Sequence, residues 1–274
     1  MAAAAKVTLS AGPSLAPKGR ATACLNRQAF IIPVANFSDA FPRRAAFMTI
    51  QAIAFDAYGT LFDVYSIAAL ADKLFPGKGA ALSEQWRDKQ IEYTRLRTMC
   101  SQYKPFWEVT LDALVFSCKK LSLDLDPDAQ DSLMGQYAKL QAFPENLSVL
   151  QRLKEKNLKL AILSNGNPDM LDTVVKAASM HDMFDHLISV DSVRKFKTAP
   201  EAYQLGPDTF SLPANQILLV SSNCWDVCGA TWFGYTTFWV NRNAVPLEEL
   251  DVTPHGTGRT LKDVLAFVEK NCNP

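Results

Sequence analysis

Three apolar runs in this chain each stop abruptly at a short polar group. Ile50 to Phe55 ends at Asp56, Lys159 to Leu163 at Ser164-Asn165, and Gln216 to Val220 at Ser221-Ser222-Asn223. Near-continuous apolar runs of this length suit strands buried on both faces, as in a parallel sheet. Helical patterns between the runs predict an α/β fold: a Rossmann-like, three-layer core with a mostly parallel sheet. Further strands are predicted at Phe184 to Ser189 and Thr236 to Val240, with helices over Leu147 to Lys156, Met170 to Ala178 and Leu261 to about Glu269. A helix is also expected through Gly229-Ala230. Another begins at Pro200 to Tyr203, where Gly206-Pro207 should break or kink it. Parallel strands place their carboxyl ends on one edge, the edge where such sheets bind ligands. Asp56, Ser164-Asn165 and Ser221-Asn223-Asp226 should therefore converge.

Between the first two runs the pattern changes. Helical periodicity over Ser83 to Met99, Phe106 to Leu121 and Asp128 to about Leu140 is more than one crossover needs. We read residues 65–141 as an inserted helical cap lobe, with 48–64 and 142–274 forming the core. Residues 1–47 differ again. They carry Lys6, Lys18, Arg20, Arg27, Arg43 and Arg44 against Asp39, and are rich in Ala, Ser and Pro. An organellar targeting peptide and an upstream extension both fit, and neither belongs to the catalytic fold.

Composition excludes several classes. Lys plus Arg equal Asp plus Glu at 28 each, and no basic stripe suits phosphate neutralisation, so no nucleic-acid partner is expected. No apolar run reaches membrane-spanning length. Cys24, Cys100, Cys118, Cys224, Cys228 and Cys272 show no metal-finger spacing or disulfide framework, which suits reduced thiols. His181, His186 and His255 lack zinc spacing. The chain is expected in the cytoplasm, or in an organelle if residues 1–47 direct import.

Each polar residue has a plain reading beside a chemical one. An Asp after a strand is often a helix cap. Asp56, close to Gly59 and Thr60, is also placed to act as a nucleophile with one oxygen oriented and the other free. Lys197 is either a solvated loop cation or the partner that keeps Asp56 ionised. Arg87 is either a surface residue or a two-pronged partner for a substrate carboxylate. A magnesium site has little support, because Tyr58 and Ser222 stand where further acids would be needed. No metal and no cofactor are expected.

The segments Phe55-Asp56-Ala57-Tyr58-Gly59-Thr60-Leu61-Phe62-Asp63, Trp86-Arg87-Asp88-Lys89-Gln90, Ile162-Leu163-Ser164-Asn165-Gly166 and Val220-Ser221-Ser222-Asn223-Cys224-Trp225-Asp226 occur in that order. In this the chain resembles the L-2-haloacid dehalogenase family of the haloacid dehalogenase superfamily, from about Ile50 to Val268. The resemblance implies a metal-independent homodimer acting on 2-haloacids. Asp56 would displace halide with inversion, and water would then hydrolyse the ester to a D-2-hydroxyacid. It further implies that Thr60, Lys197, Ser221 and Asn223 surround Asp56, and that Asp226 supports Lys197. Ser164 and Asn165 would face the substrate carboxylate, Arg87 would assist halide release, and Tyr203 would be a supporting tyrosine. Tyr58, Ile91, Phe106 and Trp225 would form the apolar wall and halide cradle. Asp88 stands where related enzymes often carry Gln, and Lys197-Thr198-Ala199-Pro200 lacks a common Lys-Pro pair. The competing readings are a magnesium-dependent phosphatase of the same superfamily and a non-catalytic binding protein.

Overall fold

The computed structural model describes residues 50–271, so the expectations for residues 1–47, Cys24 and Cys272 fall outside it. Six strands form one sheet: β1 (Ala52–Phe55), β2 (Lys159–Ser164), β3 (His186–Ser189), β4 (Ile217–Ser221), β5 (Thr236–Val240) and β6 (Gly256–Gly258). Their order is β3-β2-β1-β4-β5-β6 and every pairing is parallel. All residues of β1, β4 and β5 are buried, which explains why these strands are apolar without alternation.

Five helices belong to this sheet: α5 (Asn146–Lys154), α6 (Pro168–Ala177), α7 (Pro200–Phe210), α8 (Cys224–Phe233) and α9 (Leu261–Asn271). Crossovers β1 to β2 and β2 to β3 run one way, whereas β3 to β4 and β4 to β5 run the other. Right-handed connections then put α5 and α6 on one face and α7 and α8 on the opposite face. Accordingly α5 packs on α9, and α7 on α8. Helix, sheet and helix make the three expected layers.

The strand order reverses between β1 and β4, the point at which such sheets open a ligand crevice. Phe55 pairs with Ile162 on one side and Val220 on the other, and the Asp56 amide donates to the Val220 carbonyl at 2.9 Å. Register alone thus brings Asp56, Ser164 and Ser221 to one edge.

Between β1 and α5 lie α1 (Ala68–Leu74), α2 (Gly79–Met99), α3 (Phe106–Lys120) and α4 (Pro127–Tyr137). The start of α4 has ordinary causes: Asp126 caps it through Ala129 N at 2.7 Å, and Pro127 occupies the first turn. Buried polar contacts join α2 to α3, with Trp86 Nε1 donating to Thr110 O at 2.8 Å and Gln90 Nε2 to Thr110 Oγ1 at 2.6 Å. The chain leaves and re-enters the core side by side. Phe62 bridges Ala142 antiparallel, and Asp63 N donates to Gln141 O at 2.8 Å. This adjacency supports treating 65–141 as an insertion.

One expectation is corrected in part. Gly206-Pro207 does not break its helix, since α7 continues through Pro207 to Phe210. Proline at 207 cannot donate to the Tyr203 carbonyl, four residues back. That carbonyl instead accepts from Tyr235 Oη at 2.6 Å. Glycine at 206 makes the approach feasible, because a Cβ there would lie 2.1 Å from the same hydroxyl. Helix propensity alone favours Gly206→Ala by about 1 kcal/mol. We expect instead a loss of about 1–3 kcal/mol from overpacking, read as a lower urea midpoint. An unchanged or higher midpoint would refute this account of the Gly-Pro pair.

The short strand β6, helix α1 and several single turns of 3-10 helix lie outside the expected elements. Among the described cysteines, Cys118, Cys224 and Cys228 are buried, Cys100 is exposed, and all four are free thiols.

Candidate active site

Asp56 sits at the carboxyl end of β1 and is 6% exposed, so its carboxylate depends on protein partners rather than water. Oδ2 accepts from Thr60 Oγ1 at 2.9 Å and from Asn223 Nδ2 at 2.9 Å. Oδ1 has one longer contact, from Lys197 Nζ at 3.3 Å. One oxygen is therefore pinned by two neutral donors, and the other keeps lone-pair density facing a cation. Thr60 is tightly specified, since its hydroxyl also accepts from Ser222 N at 2.8 Å. That bond ties the loop after β1 to the loop after β4.

Lys197 is 1% exposed and stands between two acids, donating to Asp226 Oδ2 at 2.9 Å as well as to Asp56. Burial opposes charge on its ammonium, yet Asp226 and Asp56 together outweigh that effect and raise the Lys197 pKa above the ordinary lysine value. Two carboxylates share this single ammonium. Burial first, and then the Asp56 charge, push the Asp226 pKa upward against the pull of Lys197. Asp226 lies in the first turn of α8, where the helix dipole favours an anion. Its Oδ1 accepts from Tyr203 Oη at 2.8 Å. A buried chain of contacts thus runs from Tyr235 through Tyr203, Asp226 and Lys197 to Asp56.

Above the carboxylate is a narrow cavity of about 10 Å³, lined by Asp56, Tyr58, Arg87, Ile91, Thr94, Phe106, Ser164, Asn165, Asn223 and Trp225. The aromatic side of its wall is packed: Tyr58 stacks on Tyr137 with centroids 5.6 Å apart, and meets Phe106 at the same distance. Burial, with help from Tyr137 and Asp56, raises the Tyr58 pKa well above the phenol value, so Tyr58 is a neutral hydroxyl. Asn165 Oδ1 accepts from Lys197 N at 2.9 Å, which leaves its amide NH₂ for the cavity.

Arg87 reaches from α2 into the core. Its guanidinium donates to Gln90 Oε1 at 2.8 Å, Tyr58 O at 3.0 Å and Asn223 Oδ1 at 3.1 Å. Asn223 consequently presents Nδ2 to Asp56, so a residue of α2 orients a donor to the carboxylate at the end of β1. Among the described contacts Arg87 meets no carboxylate.

Nine of the expected residues line the cavity and the others lie beneath it. Thr60, Lys197, Tyr203 and Asp226 form the support just described. Ser221 acts at one remove: its Oγ accepts from Asn223 N at 3.1 Å and so holds the loop that carries Asn223. The sequence reading passed over Thr94 and Gln90. Both belong to the α2 face that carries Arg87 and Ile91, at offsets of three, four and seven residues, so helical spacing could have found them. It also passed over Arg242, which donates to Thr60 O at 3.0 Å; a partner 182 residues away leaves no local signal.

Residues 50–234 match the family model described as haloacid dehalogenase-like hydrolase. The (S)-2-haloacid dehalogenase of Pseudomonas sp. (strain YL) is 45% identical, over 80% of this chain and 95% of that protein. Among solved structures, an L-2-haloacid dehalogenase is 58% identical with a TM-score of 0.80, covering 81% of this chain and 99% of its own. The L-2-haloacid dehalogenase from Xanthobacter autotrophicus with chloropropionic acid covalently bound is 35% identical with a TM-score of 0.75. That match covers 80% of this chain and 98% of the other.

Proposed function

The chain belongs to the haloacid dehalogenase-like hydrolases, and from that premise we propose that it hydrolyses short L-2-haloacids to D-2-hydroxyacids and halide. The observation that carries this reading is the Lys197 ammonium lodged between Asp56 and Asp226 beneath a cavity with an aromatic wall.

Asp56 Oδ1 attacks carbon 2 from behind as the carbon–halogen bond breaks, and the bonding pair leaves with the halide. Pinning Oδ2 fixes the line of approach, which is where positioned nucleophiles gain most of their advantage. The halide gains charge near the Arg87 guanidinium, the Asn165 amide and the Phe106 ring edge, groups suited to stabilise it. Water then adds to the carboxyl carbon of the ester and the acyl carbon–oxygen bond breaks, a water proton passing to the departing alkoxide; the carbon 2–oxygen bond survives and inversion is retained in the product. The Asp226–Lys197 pair supports the regenerated carboxylate, and Ser164 with Asn165 orients the substrate carboxylate.

The site does not fit a divalent cation. Lys197 Nζ already occupies the position between the two carboxylates, and Tyr58 and Ser222 offer no acid. Among the described residues no group of three or more His, Cys, Asp or Glu is placed to hold a metal ion. This disfavours a magnesium-dependent phosphatase, and the reading here is metal-independent. It also includes a homodimer, for which exposed Leu96 and Met99 on α2 supply apolar area; sedimentation of the purified chain tests that part. No described helix is long and apolar enough to cross a membrane.

Incubation with L- or D-2-chloropropionate in chelator tests the whole reading. Chloride and D-lactate should form from the L substrate alone. A folded protein that releases halide from no short 2-haloacid would overturn it.

A further inference from the structure

A second cavity adjoins the first. It has a volume of about 390 Å³, and Arg87 and Asn223 line both. Ser222, Asn241 and Arg242 also line it, and two of these residues carry a buried donor with no hydrogen-bond partner: Ser222 Oγ and Arg242 Nε. Buried donors are rarely left unmatched, and such a pair in the wall of one cavity points to something that passes through it.

Both terminal nitrogens of Arg242 are held by the protein. Nη1 meets Glu145 Oε1 at 2.7 Å, Nη2 meets Thr60 O, and the guanidinium lies over Phe143 at 3.6 Å from the ring centroid. Its Nε is the guanidinium nitrogen with no hydrogen-bond partner. Asp63 is the acid in the lining, and its Oδ1 accepts from Tyr65 N at 2.9 Å. Two guanidinium groups are thus set against Asp63 in the lining and Glu145 behind it. Charge is near balance while the unmatched donors remain, a combination suited to weak, reversible anion binding. A tight site would trap a product.

We propose that this cavity is a halide exit chamber, in which the ion displaced at carbon 2 passes Arg87, is held briefly by Ser222 Oγ and Arg242 Nε, and leaves between Asn243 and Val245. The inference rests on the dehalogenation reading above. The divider between the cavities is made of side chains, Arg87 and Asn223, and Arg87 is held only by neutral acceptors. Asn243 and Val245 line the chamber and are exposed, which places its mouth at the turn after β5.

Two variants test the chamber without altering a catalytic group. Ser222→Val removes the hydroxyl and fills the space, and Asn243→Trp plugs the mouth from outside. Crystals soaked in bromide should show an anomalous peak beside Ser222 and Arg242 that Ser222→Val abolishes. Asn243→Trp should lower kcat at least about tenfold while ester formation in a single turnover stays within about twofold, as expected when product release is blocked. Absence of bromide from the chamber, or unchanged kcat in the plugged variant, would overturn the proposal. A raised KM with kcat unchanged would also overturn it, by making the cavity an entrance for the organic acid. If the unaltered enzyme forms no ester from any 2-haloacid, the parent reading fails instead, and the bromide map still decides whether the chamber binds halide.

Discussion

Replacing Asp56 with alanine should abolish turnover and leave the protein as stable as before, or more so. The first half follows from chemistry: no other described group in the cavity combines a buried carboxylate with a facing ammonium. Loss of a covalent nucleophile costs on the order of 10⁴-fold or more in kcat. The second half follows from charge. Asp56 and Asp226 share one ammonium, so the buried cluster carries an excess negative charge, and burial with Asp56 already raises the Asp226 pKa. Asp56→Ala leaves Lys197 and Asp226 as a matched pair 2.9 Å apart. An active site that strains its own fold is a familiar arrangement, and relieving the strain commonly stabilises the protein. Halide assays and thermal melts on the same preparation check both halves. Residual turnover above about 1% of the unaltered rate would remove Asp56 from the mechanism. A melting temperature lowered by several degrees would show that the excess-charge argument is wrong.

The sheet and the convergence of its strand ends were legible because burial on both faces writes a strong local signal. Ile50 to Phe55, Lys159 to Leu163 and Gln216 to Val220 are apolar because nothing else survives in the middle of a covered parallel sheet. Their strand ends then position Asp56, Ser164 and Ser221 by register alone. What could not be read locally has a common physical form, a contact between residues remote in sequence. Pro207 looks like a helix breaker until Tyr235 supplies the donor that proline lacks. Lys197 looks like a loop cation until Asp226, 29 residues on, is seen to hold it. Family resemblance assigned Lys197, Arg87 and Tyr203, and their residue types alone would not have done so. Geometry adds the reasons: Arg87 fixes the Asn223 amide, and Tyr203 caps the Asp226 carboxylate.

Lys197→Met should be the most destabilising single change in the site. It leaves Asp56 and Asp226 buried without a counter-ion, and breaking a buried pair from one side typically costs about 3–5 kcal/mol. Methionine fills nearly the same volume, so the cost is electrostatic rather than a cavity effect. The sign with pH follows from the direction of the Asp226 shift. A carboxylate whose folded pKa lies above its unfolded value has no penalty when protonated in both states, and its penalty grows as pH rises through the folded pKa. Removing the ammonium takes away the one influence that pulls Asp226 down strongly. The variant's deficit against the unaltered protein should therefore be full near neutral pH and shrink as pH falls toward about 4, the ordinary carboxylate range. Denaturant melts of both proteins across that range measure it directly. Adding Asp226→Asn to Lys197→Met should restore at least about half of the lost stability at pH 7, because coupled buried charges are strongly non-additive. Activity should not return, since no ammonium then faces Asp56. A deficit independent of pH, or one that Asp226→Asn deepens, would mean that Lys197 serves as packing rather than as the charge that makes a buried nucleophile tenable.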